Sequence, residues 1–201
     1  MSGCGVILVA EDSSDDTVLL EHAFLNTGLS VLLRFVCDGQ EAIEYLEGRP
    51  PFNDRTTYPL PRLVLVDLKM PRLDGFGLLD WLHCHPLNNR MLIGVLSGFD
   101  HPAAVERAYR LGANFHIAKP NGFEDLVCIA QFLVQASESY SHKTALSATP
   151  PEVLQAMLQA QPILPNHLKQ SAPLAPELRE TGQCRYAAGR ACETFLSHKL
   201  R

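Results

Sequence analysis

Leu63-Val64-Leu65-Val66-Asp67-Leu68-Lys69-Met70-Pro71-Arg72-Leu73-Asp74-Gly75 decides how this chain is read. Its first four residues are apolar without alternation. A strand of that kind is buried on both faces, as at the centre of a parallel sheet. A carboxylate, Asp67, ends the run. Asp74 then stands before Gly75 as a helix N-cap, since its oxygen can accept from the free N–H groups of a first turn. A helix follows from Gly75 to about His83, with Trp81 as a packing residue.

The flanking sequence repeats this alternation. Upstream, Gly48 to Arg62 contains four prolines and reads as a long loop. Before it, Val6 to Ala10 forms a buried strand, and Ser13 or Ser14 caps a helix to about Asn26. Asp15 and Asp16 favour the dipole of its first turn. Val18, Leu19, His22-Ala23 and Leu25 are expected to face the core, and Gly28 ends the helix. Val31 to Val36 is a second strand, and Asp38-Gly39 turns into a helix at about Gln40–Glu47. Downstream come a strand at Met91 to Leu96, a helix from Pro102 to near Gly112, a strand at Asn114 to Ala118, and a helix from Gly122 to about Ala136. Five strands alternating with five helices predict an α/β fold, a doubly wound five-stranded parallel sheet. In such a sheet, ligands bind beyond the carboxyl ends of the strands.

The residues at those ends carry the chemistry. The first strand ends in Glu11-Asp12, the third in Asp67, the fourth in Ser97 and the fifth in Lys119. Crowded carboxylates need a counter-cation, and Mg²⁺, a hard ion with oxygen ligands, suits them. Lys119 adds a second positive charge. One carboxylate can then attack phosphorus, while the cation and Lys119 neutralise the phosphoryl oxygens and Ser97 donates to one of them.

These segments resemble the bacterial response-regulator receiver domains. The likeness rests on Ile7-Leu8-Val9-Ala10-Glu11-Asp12, the stretch from Leu63 to Gly75, Leu96-Ser97-Gly98 and Ala118-Lys119-Pro120, and covers about residues 5–136. It implies a (βα)5, flavodoxin-like fold and two-component phosphorelay signalling. Asp67 would be the phosphoacceptor, with Ser97 and Lys119 on the phosphoryl group. Glu11, Asp12, Asp67 and the Lys69 backbone carbonyl would hold Mg²⁺, Glu11 through water. The partners implied are a sensor histidine kinase and a downstream protein, with homodimers possible. A cis Lys119-Pro120 bond is also implied. The long loop before the third strand more narrowly resembles the single-domain regulators that partner bacterial phytochrome-type kinases. The switch position three before the lysine is His116 rather than Tyr or Phe, which brings a pH-sensitive group to it.

Two other functions are weighed. An aspartyl-nucleophile phosphatase places a second acid two residues after the nucleophile, where this chain has Lys69. A phosphorylation-independent binding module would not need the full set of site residues. Beyond slow self-phosphorylation and autodephosphorylation, no enzymatic activity is expected.

Charge and cysteines narrow the setting. Residues 1–136 hold 10 Lys and Arg against 17 Asp and Glu, a net of −7. A nucleic-acid partner is therefore not expected, because gripping phosphates takes surplus cations. The cysteines at 4, 37, 84, 128, 184 and 192 have no zinc-site spacing. Cys37 and Cys128 are expected to be small buried hydrophobes. His22, His83, His85 and His101 form no ligand set. Phe99 reads equally as a shield over the phosphoryl group or as an exposed loop aromatic. With no basic leader and no apolar run of ~20 residues, no membrane attachment and a cytoplasmic location are expected. Residues 1–136 are assigned to the receiver domain. Residues 137–201 read as a Pro/Ala/Ser-rich extension, largely disordered or with short helices.

Overall fold

The computed structural model describes residues 5–139. The expectations for residues 140–201 lie outside that range. Five parallel strands form one sheet in the order β2-β1-β3-β4-β5: β1 Gly5–Ala10, β2 Val31–Val36, β3 Leu63–Val66, β4 Leu92–Ser97 and β5 Phe115–Ala118. The helices are α1 Ser14–Asn26, α2 Gly39–Glu47, α3 Gly75–Cys84, α4 Pro102–Arg110 and α5 Phe123–Ser139. A short 3-10 helix, Pro86–Arg90, which the sequence reading left out, joins α3 to β4.

The pleat sorts the core into two layers. Ile7, Val9, Leu63, Leu65, Phe115 and Ile117 pack on one face with Leu20, Ala23 and Phe24 of α1 and Ile129, Ala130 and Leu133 of α5. Leu8, Ala10, Val64, Val66, Ile93 and Val95 face the helices α2, α3 and α4. Central strands covered on both sides explain why β1, β3 and β4 are unbroken apolar runs up to their last residues.

Several expectations change. The α1 stripe is displaced: Leu20, Ala23 and Phe24 are buried, whereas Val18, Leu19 and Leu25 are exposed, Leu25 by 73%. Positions 20, 23 and 24 satisfy the i, i+3, i+4 rule, and they are the α1 residues buried in the core. Thr27 is the C-cap of α1, and Gly28, at φ 66°, stands just past it in the left-handed conformation that ends the helix, as expected. Cys37 is exposed and Cys128 half-buried, because Cys37 lies past the end of β2, in the turn to α2. The cis bond among the described residues is Pro50-Pro51, so Lys119-Pro120 is trans. Ser13 and Asp74 are N-caps, their side chains accepting from the Asp16 and Gly77 N–H groups.

Candidate functional site

The sheet register places the predicted residues on one rim. Ala10 is level with Val36 and Val66, Val66 with Val95, and Ser97 with Ala118. The next residues stay tied to their neighbours: Glu11 N–H donates to Val36, Asp67 N–H to Ala10 and Lys119 N–H to Ser97, at 3.0–3.1 Å. Glu11, Asp67 and Lys119 thus leave the sheet one step beyond a paired residue, and Ser97 leaves it from the last paired residue of β4, on backbone that the sheet holds fixed.

Asp67 is the hub and only 8% exposed. Its Oδ1 accepts from the Ser97 hydroxyl at 2.6 Å and from the Lys69 N–H at 3.1 Å. Its Oδ2 accepts from Lys119 Nζ at 2.8 Å. Lys119 Nζ also donates to Glu11 Oε2 at 2.7 Å and to Asp16 Oδ2 at 2.6 Å. Burial by itself would lower the Lys119 pKa, but the bonds to Asp16, Asp67 and Glu11 outweigh it and hold the ammonium above the ordinary lysine range. Burial raises the Glu11 carboxyl, against the opposing pull of Lys119. The rim is therefore short of cations for its acids.

The donor set fits a hard divalent ion. Glu11, Asp12 and Asp67 each bring a carboxylate oxygen to within 4.8 Å of the others, with Asp12 exposed and the other two buried. Oxygen-only ligands, one side of them open to water, match the preference of Mg²⁺ or Mn²⁺ for keeping part of their hydration shell. Lys69 lies at the same edge, its ammonium 4.9 Å from the centre of the Phe99 ring.

Behind Ser97 lies His116. It is 1% exposed, on the α4 side of β5, and neither ring nitrogen has a hydrogen-bond partner. Its backbone N–H donates to the Tyr109 hydroxyl at 3.1 Å. Burial holds the imidazole below its ordinary value, against weaker opposing effects of the Phe99 backbone and Asp100. Burial likewise pushes the Tyr109 phenol up to about 12. In the structure the Ser97 hydroxyl already meets Asp67 and His116 is already buried.

Asp16 was read only as a helix-dipole residue, yet it grips Lys119. The signal was available: positions 16, 20, 23 and 24 share one helix face, so the buried face of α1 carries Asp16 to the rim.

A buried acid flanked by a hydroxyl and an amine, beside two further acids, thus lies at the carboxyl edge of the parallel sheet. Residues 7–131 match the response regulator receiver domain family, and the chain belongs to it. It is a receiver of two-component phosphorelay signalling. Among curated relatives, the response regulator Rcp1 of Synechocystis sp. is 28% identical over 63% of this chain and 84% of that protein. The probable methanogenesis regulatory protein FilR2 of Methanothrix harundinacea is 30% identical over 60% of this chain and 76% of that protein. Among solved structures, the response regulator RPA3017 in red light signaling of R. palustris has a TM-score of 0.60 at 35% identity, covering 64% of this chain and 90% of that one. The phosphorylated cyanobacterial phytochrome response regulator RcpA has a TM-score of 0.62 at 26% identity, covering 69% and 97%. Receiver domains are in general regulators rather than catalysts, and they hold a divalent cation in an acidic pocket; Rcp1 has been crystallised in a Mn²⁺-bound form.

Proposed function

We propose that Asp67 accepts a phosphoryl group from a sensor histidine kinase and that the change is read by a protein partner. The arrangement of Asp67 between the Ser97 hydroxyl and the Lys119 ammonium carries this reading. The Asp67 carboxylate supplies the electron pair for a new O–P bond. The bond from phosphorus to the donor breaks, and its electrons leave with the donor. Lys119 holds positive charge where the phosphoryl oxygens gather negative charge, and Ser97 turns its O–H from the carboxylate to one of them. Mg²⁺, held by Glu11, Asp12, Asp67 and the Lys69 carbonyl, would add Lewis-acid neutralisation of the same oxygens.

Output follows from the inward arrangement of Ser97 and His116. Phosphorylation favours it by adding acceptors for Ser97 and Lys119, a population shift biased by one charged group. The surface of α4, β5 and α5 is where a downstream partner, or a second copy in a homodimer, would read it. The phytochrome regulators among the relatives support a phytochrome-type kinase as donor. A cytoplasmic location goes with an ATP-dependent donor.

The test uses acetyl phosphate and Mg²⁺ with intact-mass detection. Wild type should gain one phosphoryl group and Asp67→Asn none. Uptake by the Asn variant would move the acceptor elsewhere, and no uptake by wild type, from acetyl phosphate or from a phosphorylated histidine kinase, would end the reading.

A further inference from the structure

Arg72 is the one non-glycine among the described residues with a left-handed backbone, at φ 58°. An L-residue rarely adopts that conformation, so the surroundings must impose it. Two nitrogens of its guanidinium, Nε and Nη2, donate to Oδ2 of Asp38. Asp38 is only 1% exposed, and its Oδ1 caps α2 by accepting from the Glu41 N–H at 2.9 Å. A carboxylate so buried needs a paired cation. Arg72 supplies one while the rest of its side chain stays largely in solvent.

This pair ties the segment between β3 and α3 to the start of α2. A second tie lies beside it: Gly39 N–H donates to Leu73 O at 3.0 Å, and a Cβ on Gly39 would come within 2.7 Å of that oxygen. At the far end, Gly75 N–H donates to Leu68 O at 3.2 Å, and a Cβ on Gly75 would meet Asp67 O at 2.1 Å. The segment is clamped at both ends. Between the clamps lies Lys69, whose N–H already binds the acceptor carboxylate.

We propose that Arg72 is a positioning residue: by binding Asp38 it fixes the backbone between β3 and α3, and so sets the Lys69 carbonyl beside Glu11, Asp12 and Asp67 for a divalent cation. The inference rests on the reading of those residues as the cation site. Groups that orient metal ligands without touching the metal are commonly worth ~10–100-fold in affinity, and a backbone clamp belongs at the lower end, about tenfold.

The test is calorimetric titration of the full chain with Mg²⁺ and with Mn²⁺, beside thermal melts in chelator. Arg72→Gly keeps the left-handed backbone without strain. Asp38→Asn keeps the helix cap and removes the charge that binds Arg72. Each should weaken both ions about tenfold, and the double variant should be no weaker than either single one, because both remove the same contact. Arg72→Lys, lacking the two-nitrogen geometry, should fall between them and wild type. Lower melting temperatures with wild-type ion affinity would make the pair purely structural and overturn the inference. Absence of ion binding by wild type would overturn it together with the cation-site reading; binding by wild type and equally by the variants would overturn it alone.

Discussion

At the scale of single residues, Lys119 has the largest electrostatic task. Glu11, Asp16 and Asp67 all accept from one ammonium. Lys119→Ala leaves these acids facing one another. The variant should lose about 2 kcal/mol in denaturant melts in chelator, less than the ~3–5 kcal/mol of a fully buried pair, because its side chain is 22% exposed. Mg²⁺ should raise its melting temperature more than that of wild type, since the ion replaces the missing charge. His116 gives a prediction in pH. Its folded pKa is depressed from 6.5, so the unfolded chain takes a proton first as pH falls. The stability that neutral His116 confers is complete above the unfolded value and drains away as pH falls through it. Between about pH 7.5 and about pH 5.5, wild type should therefore lose more stability than His116→Phe, measured by thermal melts. Equal losses would show that the buried imidazole does not titrate with unfolding.

At the scale of elements, the strands were legible and one helix face was not. A strand covered on both sides has no choice of face, so an apolar run that stops at a charged or hydroxyl residue marks its own end. That is why Asp67, Ser97 and Lys119 could be placed from sequence. Helix α1 carries apolar residues at 18, 19, 20, 23, 24 and 25, more than one face can hold, and the pattern alone does not choose between stripes. The choice comes from contact with the sheet and α5. Asp16 was missed for the same reason, and Arg72 because no local pattern marks an arginine for a left-handed backbone. The α1 assignment predicts unequal costs in chemical denaturation. Leu20→Ala should cost ~2–5 kcal/mol by opening a cavity, and Leu25→Ala within ~0.5 kcal/mol of nothing. Similar losses at both would return the stripe to its predicted side.

At the scale of the whole molecule, the receiver is one sheet with two layers of helices, and every strand but β2 gives a residue to the rim. Helix α5 runs to Ser139, three residues past the boundary assigned from sequence, with Ala136 and Ser137 buried. A chain shortened to end after Ser139 should take up phosphate from acetyl phosphate at a rate within about twofold of the full chain, because no residue assigned to the site lies beyond Lys119. A rate many times lower would give the extension a part in the chemistry.

Lys119 clasps Glu11 across 108 positions of chain. During biosynthesis, Asp67 leaves the ribosome long before the amine that completes its surroundings. A nascent polypeptide therefore displays Asp67 before Lys119 can pair with it, and the rim is complete only once residue 119 has emerged.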